Sequence, residues 1–274
     1  MTAIDVIGLD ADDTLWHDER MFIDISTRFH RLLEQYLGPD VSRSEDSATA
    51  TDSVADSVTD QPNQPASNRT AIETAIEHRE RANLELFGYG VKAYTLSLIE
   101  TAIASTEGRV TAYDIHQIIQ WGKEMLAQPV ELLDGVKEVV PQLAAEYRVI
   151  VITKGDLWNQ EAKIARSRLE EHLDAVEVVA EKDTDTYRRV LKQHGIDPKR
   201  FVMAGNSLRS DIAPVLAIGA RAVHISFPTV WALEQVPDGF LNPDDYTEIR
   251  TIRELPGVIE ALAGEGSKKA INQG

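Results

Sequence analysis

The chain has 274 residues, enough for one large domain or a core with a subdomain, so neither disulfides nor a structural metal is needed to hold it together. It contains no cysteine, which excludes disulfides, thiolate metal sites and cysteine nucleophiles and fits a cytoplasmic protein. With 45 acidic against 28 basic residues the net charge is -17, which argues against nucleic acid or a membrane surface as partner and requires local cations to capture any anionic substrate.

The first positive side chain is Arg20, and no apolar run approaches the roughly 18 residues of a membrane span, so a soluble, unsecreted protein is expected. The run Ile4 to Leu9 reads as a buried strand, followed within four positions by Asp10, Asp12 and Asp13. Carboxylates this close resist ionising together unless a cation or proton lies among them. Next, Phe22, Ile25, Phe29, Leu32, Leu33 and Tyr36 recur at helical spacing from Arg20 to Leu37, and Gly38-Pro39 ends the pattern.

Residues 40–69 turn to Ser, Thr, Asp and Ala with two prolines and no aromatic residue, and read as a disordered insertion. Helical patterns follow at about Thr70 to Phe87, Val91 to Ser105 and Thr111 to Ala127, broken by Gly88-Tyr89-Gly90 and Glu107-Gly108, which suggests a small helical bundle. From Pro129 apolar runs alternate with helices: Tyr147 to Gly155, Ala175 to Lys182, Arg200 to Ser207 and Arg221 to Ser226. That rhythm indicates an α/β parallel sheet covered on both faces, joined by the first strand. Ligands of such sheets sit beyond the carboxyl ends of the strands, where Asp10 and Asp12, Thr153 and Lys154, Lys182, and Asn206 to Asp211 stand.

These residues, with "DADDTL", "VIVIT" ending in Thr153, Lys182 after "VEVVAE", and "MAGNSLRSD", resemble the four motifs of the haloacid dehalogenase superfamily in order and at strand ends. The resemblance implies a Rossmann-like, doubly wound parallel sheet over 1–17 and 129–265. It also implies a helical cap over 18–128 that closes over the site to choose the substrate, and 266–274 read as a flexible tail. It makes Asp10 the nucleophile that forms an aspartyl-phosphate, and Asp12 the general acid and later the base. Thr153 and Lys182 would hold the phosphoryl oxygens. Mg2+ would sit against Asp10, the backbone carbonyl of Asp12, and Asp211. The chemistry needs such cations, because a carboxylate attacking a phosphate dianion meets repulsion until both are neutralised.

Asp10 is expected to ionise readily at neutral pH, and Asp12 to have its pKa raised by burial or neighbouring carboxylates. Two departures stand out. Asn206 occupies a position where an acid is usual, leaving Asp211 to carry metal affinity, and Asp13 stands where many relatives have Gly, at a turn that Asp tolerates.

Plainer readings compete. Asp211 or Ser210 can cap a helix over Ile212 to Ile218, Lys154 rivals Lys182, and Trp16, Trp121, Trp158 and Trp231 suit packing, with Trp16 close enough to border the site. The leading expectation is an Mg2+-dependent phosphomonoester hydrolase acting on a small phosphorylated metabolite. A sugar-phosphate mutase of the same superfamily is the alternative. A phospho-accepting module such as a receiver domain would carry its phosphorylated Asp at the end of an interior strand after the acidic pair, where this chain has none before Thr153, and a partner-binding inactive relative is opposed by the retained Asp10, Asp12, Thr153 and Lys182.

Overall fold

A computed structural model describes residues 4–38 and 68–271. The expected disordered insertion lies almost wholly outside the described residues. The chain divides into two compact units, Met1–Phe22 with Gly88–Gly90 and Leu126–Gly274, and Ile23–Phe87 with Val91–Met125.

The first unit is built on six parallel strands: β1 (Val6–Leu9), β2 (Arg148–Lys154), β3 (Ala175–Val179), β4 (Phe201–Gly205), β5 (Arg221–Ile225) and β6 (Thr247–Ile249). They are ordered β3-β2-β1-β4-β5-β6, so the chain builds outward on one side of β1 and then on the other. The order reverses at β1 and β4, and a crevice forms beyond the carboxyl ends at such a reversal.

Both faces are apolar, with a period of two. Ile7, Leu9, Val149, Val151, Val202, Ala204 and Val223 face one core, packed against α5 (Val136–Ala144) and α9 (Leu255–Ile271). Val6, Ile150, Ile152, Phe201, Met203 and Ala222 face the other, packed against α7 (Thr184–Gln193) and α8 (Ala213–Ala217). Burial on both sides explains why these strands read as unbroken hydrophobic runs. Gly8 lies where a Cβ would come within 2.5 Å of the Phe201 ring, so the central strand is thinned to admit an aromatic side chain. The helix α9 runs through the segment that the sequence suggested as a tail, to Ile271, and residues 272–274 lie outside the described residues.

The second unit is helical, carrying most of α1 (Glu19–Leu37) and α4 (Ala112–Ala127) together with α2 (Asn68–Phe87) and α3 (Val91–Ser105). Phe29, Leu33, Leu98, Ala102 and Ile118 are buried at the helical spacings seen in the sequence. Thr111 caps α4: its hydroxyl accepts from the Asp114 backbone N–H at 3.1 Å and donates to the Asp114 carboxylate at 2.6 Å. Asn83 donates to the Ser97 hydroxyl at 2.9 Å, a buried polar link between α2 and α3. Among the described residues no helix is long and apolar enough to cross a membrane.

Candidate active site

The strand ends bring the chemistry together. The Asp10 backbone N–H donates to the Ala204 carbonyl at 2.9 Å, which carries the sheet pairing one step past β1 before the chain turns. In that turn Asp13 takes a left-handed conformation with φ 58°, and its carboxylate accepts from the backbone N–H groups of Asp18 (2.9 Å) and Glu19 (3.1 Å). Asp13 thus acts on the backbone that opens α1, which accounts for an Asp where Gly was the simpler choice.

The Lys182 ammonium lies between two carboxylates, pairing with Asp10 and at 2.7 Å with Asp211. All three side chains are buried. The second Asp10 oxygen accepts from the Thr14 hydroxyl at 3.0 Å, and the second Asp211 oxygen from the Ser207 backbone N–H at 3.0 Å. Asp211 is therefore not a helix cap. That role falls to Ser207, whose hydroxyl accepts from the Ser210 N–H at 3.0 Å at the start of a π-helical turn, Leu208–Ile212. Gly205 lies directly beneath: a Cβ there would stand 2.4 Å from the Asp211 carboxyl carbon.

Asp12 belongs to a different cluster. One of its oxygens accepts from Trp16 Nε1 at 2.7 Å and Lys163 Nζ at 2.9 Å, the other from Gln160 Nε2 at 2.7 Å. Lys163 also pairs with Asp18 at 2.5 Å. Gln160 and Lys163 lie one turn apart on α6 (Leu157–Ser167), a helix capped by Asp156, whose carboxylate accepts from the Asn159 N–H at 3.0 Å. On this helix the polar Asn159, Gln160 and Lys163 are buried and Trp158 is 77% exposed, the reverse of the packing role expected for that tryptophan.

Thr153 is buried, with its hydroxyl donating to the Lys154 carbonyl (3.2 Å) and accepting from Gln160 (3.3 Å). The Asn206 carbonyl accepts from His224 Nε2 at 3.1 Å. Lys154 does not share the Asp10 cluster. Its ammonium pairs with Glu234, reaches the Ser210 hydroxyl at 3.0 Å and Glu181 at 3.3 Å, and stands 4.4 Å over the Tyr89 ring.

The expected ordering of the two aspartates is inverted. Burial, with added repulsion from Asp211 and Asp12, raises the Asp10 carboxyl to about 7 against the opposing pull of Lys182. Burial also acts on Asp12, but Lys163, with the hydrogen bonds of Gln160 and Trp16, outweighs it and holds this carboxyl below its usual range. The expectation missed Lys163, whose contact spans 151 residues of sequence.

Among the described residues no group of three His, Cys, Asp or Glu side chains stands ready to hold a metal. Two carboxylates, Asp10 and Asp211, do converge on one cationic position. That donor set suits Mg2+, which binds through one or two carboxylates and fills its remaining positions with water and phosphate oxygen. The Asp12 carboxylate, taken by three side-chain donors, is not part of it.

Sequence reasoning did not single out Gln160, Lys163, Asp18, Glu181, Glu234 or Tyr89. Only Gln160 and Lys163 left a signal, an i, i+3 polar pair on the helix that follows Thr153.

Comparison with known proteins places this geometry among relatives. The haloacid dehalogenase-like hydrolase family matches residues 4–219. A haloacid dehalogenase-like family hydrolase from Xanthomonas campestris is 36% identical, with a TM-score of 0.76, over 97% of this chain and 95% of that one. The N-acylneuraminate-9-phosphatase of Mus musculus is 26% identical over 147 residues, 51% of this chain and 56% of that protein. The glyceraldehyde 3-phosphate phosphatase of Pyrococcus furiosus is 27% identical over 50% of this chain and 58% of that protein. The match thus spans little more than half the length of these phosphatases.

Proposed function

Given that the chain belongs to the haloacid dehalogenase-like hydrolase family, we propose that it is a phosphatase, hydrolysing phosphomonoesters of small metabolites through an aspartyl-phosphate on Asp10. The observation that carries this reading is the Lys182 ammonium shared by Asp10 and Asp211 beside the separately held Asp12. Asp10 attacks phosphorus, and the ester oxygen leaves as the P–O bond breaks. Asp12 gives a proton to that oxygen and then takes one from the water that opens the acyl phosphate. Lys182 and Thr153 hold the phosphoryl oxygens as charge spreads over them.

Asp10 and Asp211, with the Asp12 backbone carbonyl, would hold Mg2+, which when bound neutralises the phosphate and keeps Asp10 ionised. Asn206, next to Gly205, adds polarity without charge, so Asp211 is the main determinant of metal affinity. Because Asp12 is held as a carboxylate, its proton must arrive with the substrate or when Asp12 leaves Lys163. The named phosphatases act on a phosphorylated sugar acid and a phosphorylated triose, so a phosphorylated carbohydrate is the substrate class to screen first.

The test is release of inorganic phosphate from an aryl phosphate, with Mg2+ or with chelator, by the wild type and Asp10→Asn. Mg2+-dependent turnover that drops by at least about a thousandfold in the variant is expected for loss of a covalent nucleophile. Equal turnover in the two proteins would sink the aspartyl-phosphate reading.

A further inference from the structure

The loop that carries Asp211 is held by a carboxylate from elsewhere in the chain. Glu234 lies in the short helical turn Ala232–Glu234, beyond β5, and is 14% exposed. One of its oxygens accepts from two serine hydroxyls, Ser207 at 2.5 Å and Ser210 at 2.6 Å, and the other pairs with the Lys154 ammonium. The same two serines bracket the turn that presents Asp211. The Ser207 backbone N–H orients one Asp211 oxygen, the Ser207 carbonyl accepts from the Asp211 N–H at 2.8 Å, and Ser210 is the preceding residue. Arg209 adds a tie in the same direction, donating to the Leu233 carbonyl at 3.2 Å.

The far side of this network reaches two other strand-end loops, those after β2 and β3. Lys154 follows Thr153 directly. Glu181, which Lys154 contacts at 3.3 Å, accepts from the Lys182 backbone N–H at 3.0 Å. Tyr89 closes it, donating to Glu181 at 2.6 Å and packing edge-on against Trp231 with ring centroids 5.8 Å apart.

We infer that Glu234 is a positioning residue for Asp211, fixing the Ser207–Ser210 turn so that the Asp211 carboxylate is presented to the cation. The inference rests on the phosphatase reading, in which Asp211 is a metal ligand. Its physical basis is geometric: among the described residues no hydrogen bond or ion pair joins Glu234 to Asp10 or Asp211, and Glu234 acts through two hydroxyls and one backbone N–H. A buried ion pair is a poor source of stability, since apolar residues of similar volume commonly replace one without loss. Asn206 raises the stakes, because a loop with one metal-binding carboxylate has no second ligand to compensate if that one is misaimed. The environment agrees: burial pushes the Glu234 carboxyl up, but Lys154 and the two serines overcome it and hold the group below its usual range.

The experiment is Mg2+ titration of the full chain, followed by calorimetry and thermal unfolding, for the wild type, Glu234→Ala, Glu234→Gln and the double variant Lys154→Met with Glu234→Leu. Glu234→Ala is expected to lose about tenfold or more in Mg2+ affinity, the usual effect of removing an outer partner of a metal ligand, with kcat at saturating Mg2+ changed less than threefold. Glu234→Gln keeps one serine-accepting oxygen, so its loss of affinity should be smaller; it also carries the test if Glu234→Ala does not fold. The double variant removes both charges and should regain thermal stability without regaining Mg2+ affinity. Wild-type affinity in a folded Glu234→Ala or Glu234→Gln, or recovery of affinity together with stability in the double variant, would overturn the inference alone. A wild type that takes up no Mg2+ would overturn the metal reading of Asp211 and this inference with it.

Discussion

Lys182 and Lys163 face the same electrostatic problem and reach different outcomes. Each ammonium is buried between two aspartates, Asp10 and Asp211 for the first, Asp12 and Asp18 for the second. In each cluster one positive charge meets two negative ones, so one carboxylate is undercompensated. Around Lys163 the deficit falls on Asp18, which burial and the nearby Asp12 raise to about 7, while Asp12 is kept low. Around Lys182 it falls on Asp10 itself. The difference lies in the donors: Asp12 gathers Trp16, Gln160 and Lys163, whereas the side chains donating to Asp10 are Thr14 and Lys182. A proton on Asp18 settles the second cluster at no cost to chemistry. On the proposed mechanism a proton on Asp10 would remove the nucleophile, so the first cluster is the one that calls for a further cation.

The largest effect should come from breaking the first cluster at its centre. Lys182→Met leaves Asp10 and Asp211 facing each other without their shared ammonium, and stranding a buried charge costs roughly 3–5 kcal/mol. Thermal unfolding should show that loss, with no measurable phosphate release at neutral pH. Added protons should restore part of the stability, because a carboxylate whose folded pKa is raised favours the fold at low pH and opposes it as pH rises past the unfolded value. A variant whose melting temperature matches the wild type from pH 5 to pH 8 would contradict this account of the cluster.

Gly205→Ala perturbs the same cluster by geometry instead of charge. The new Cβ would lie 2.4 Å from the Asp211 carboxyl carbon and 2.8 Å from its Cβ, too close for either to stay. A shift of about 1 Å in a positioned group can cost on the order of a hundredfold in rate, and kcat/KM for an aryl phosphate should fall by about that factor. The Lys163 cluster is untouched, so Asp12 should behave as before. Rates within threefold of the wild type would show that Asp211 has more freedom than the packing indicates.

What the sequence reveals of this molecule follows from the range of its signals. Strands buried on both faces leave unbroken apolar runs, so β1, β2, β4 and β5 and the polar residues at their ends are visible as text. Three-residue β6 is too short to leave such a run. Asp10, Asp12, Thr153 and Lys182 are legible because each stands at or just after a strand, and Asp211 because it lies in the first turn after β4. Lys163 and Gln160 look like the solvent face of a helix, and only the fold turns that face inward. Glu234 is harder still: it sits in an irregular turn 23 residues beyond Asp211, where no periodicity operates. The expectation of a raised Asp12 failed for that reason, since the carboxylates were close in sequence and the deciding lysine was remote.

Lys163→Met removes the ammonium of the second cluster, with a smaller expected effect because Asp12 is 28% exposed and keeps Trp16 and Gln160. In the wild type the folded pKa of Asp12 lies below its unfolded value. The group therefore stabilises the fold above the unfolded value, about 3.9, and that contribution fades as pH falls through the folded one. Without the ammonium, burial becomes the dominant influence and the folded pKa rises. Once it passes the unfolded value the sign reverses: Asp12 then favours the fold in acid and opposes it as pH climbs. Asp18, already raised to about 7, moves further in the same direction. The variant should lose melting temperature between pH 5 and pH 8 relative to the wild type. Its phosphate release should need a higher pH to reach its plateau, because in the proposed mechanism the water-activating step requires Asp12 without its proton. At that plateau the rate should stay within about a hundredfold of the wild type, the low end of what acid–base catalysis contributes, because the Asp12 carboxylate itself is kept. An unchanged pH profile would mean that Lys163 contributes packing alone and that the donors from Trp16 and Gln160 suffice to hold the charge.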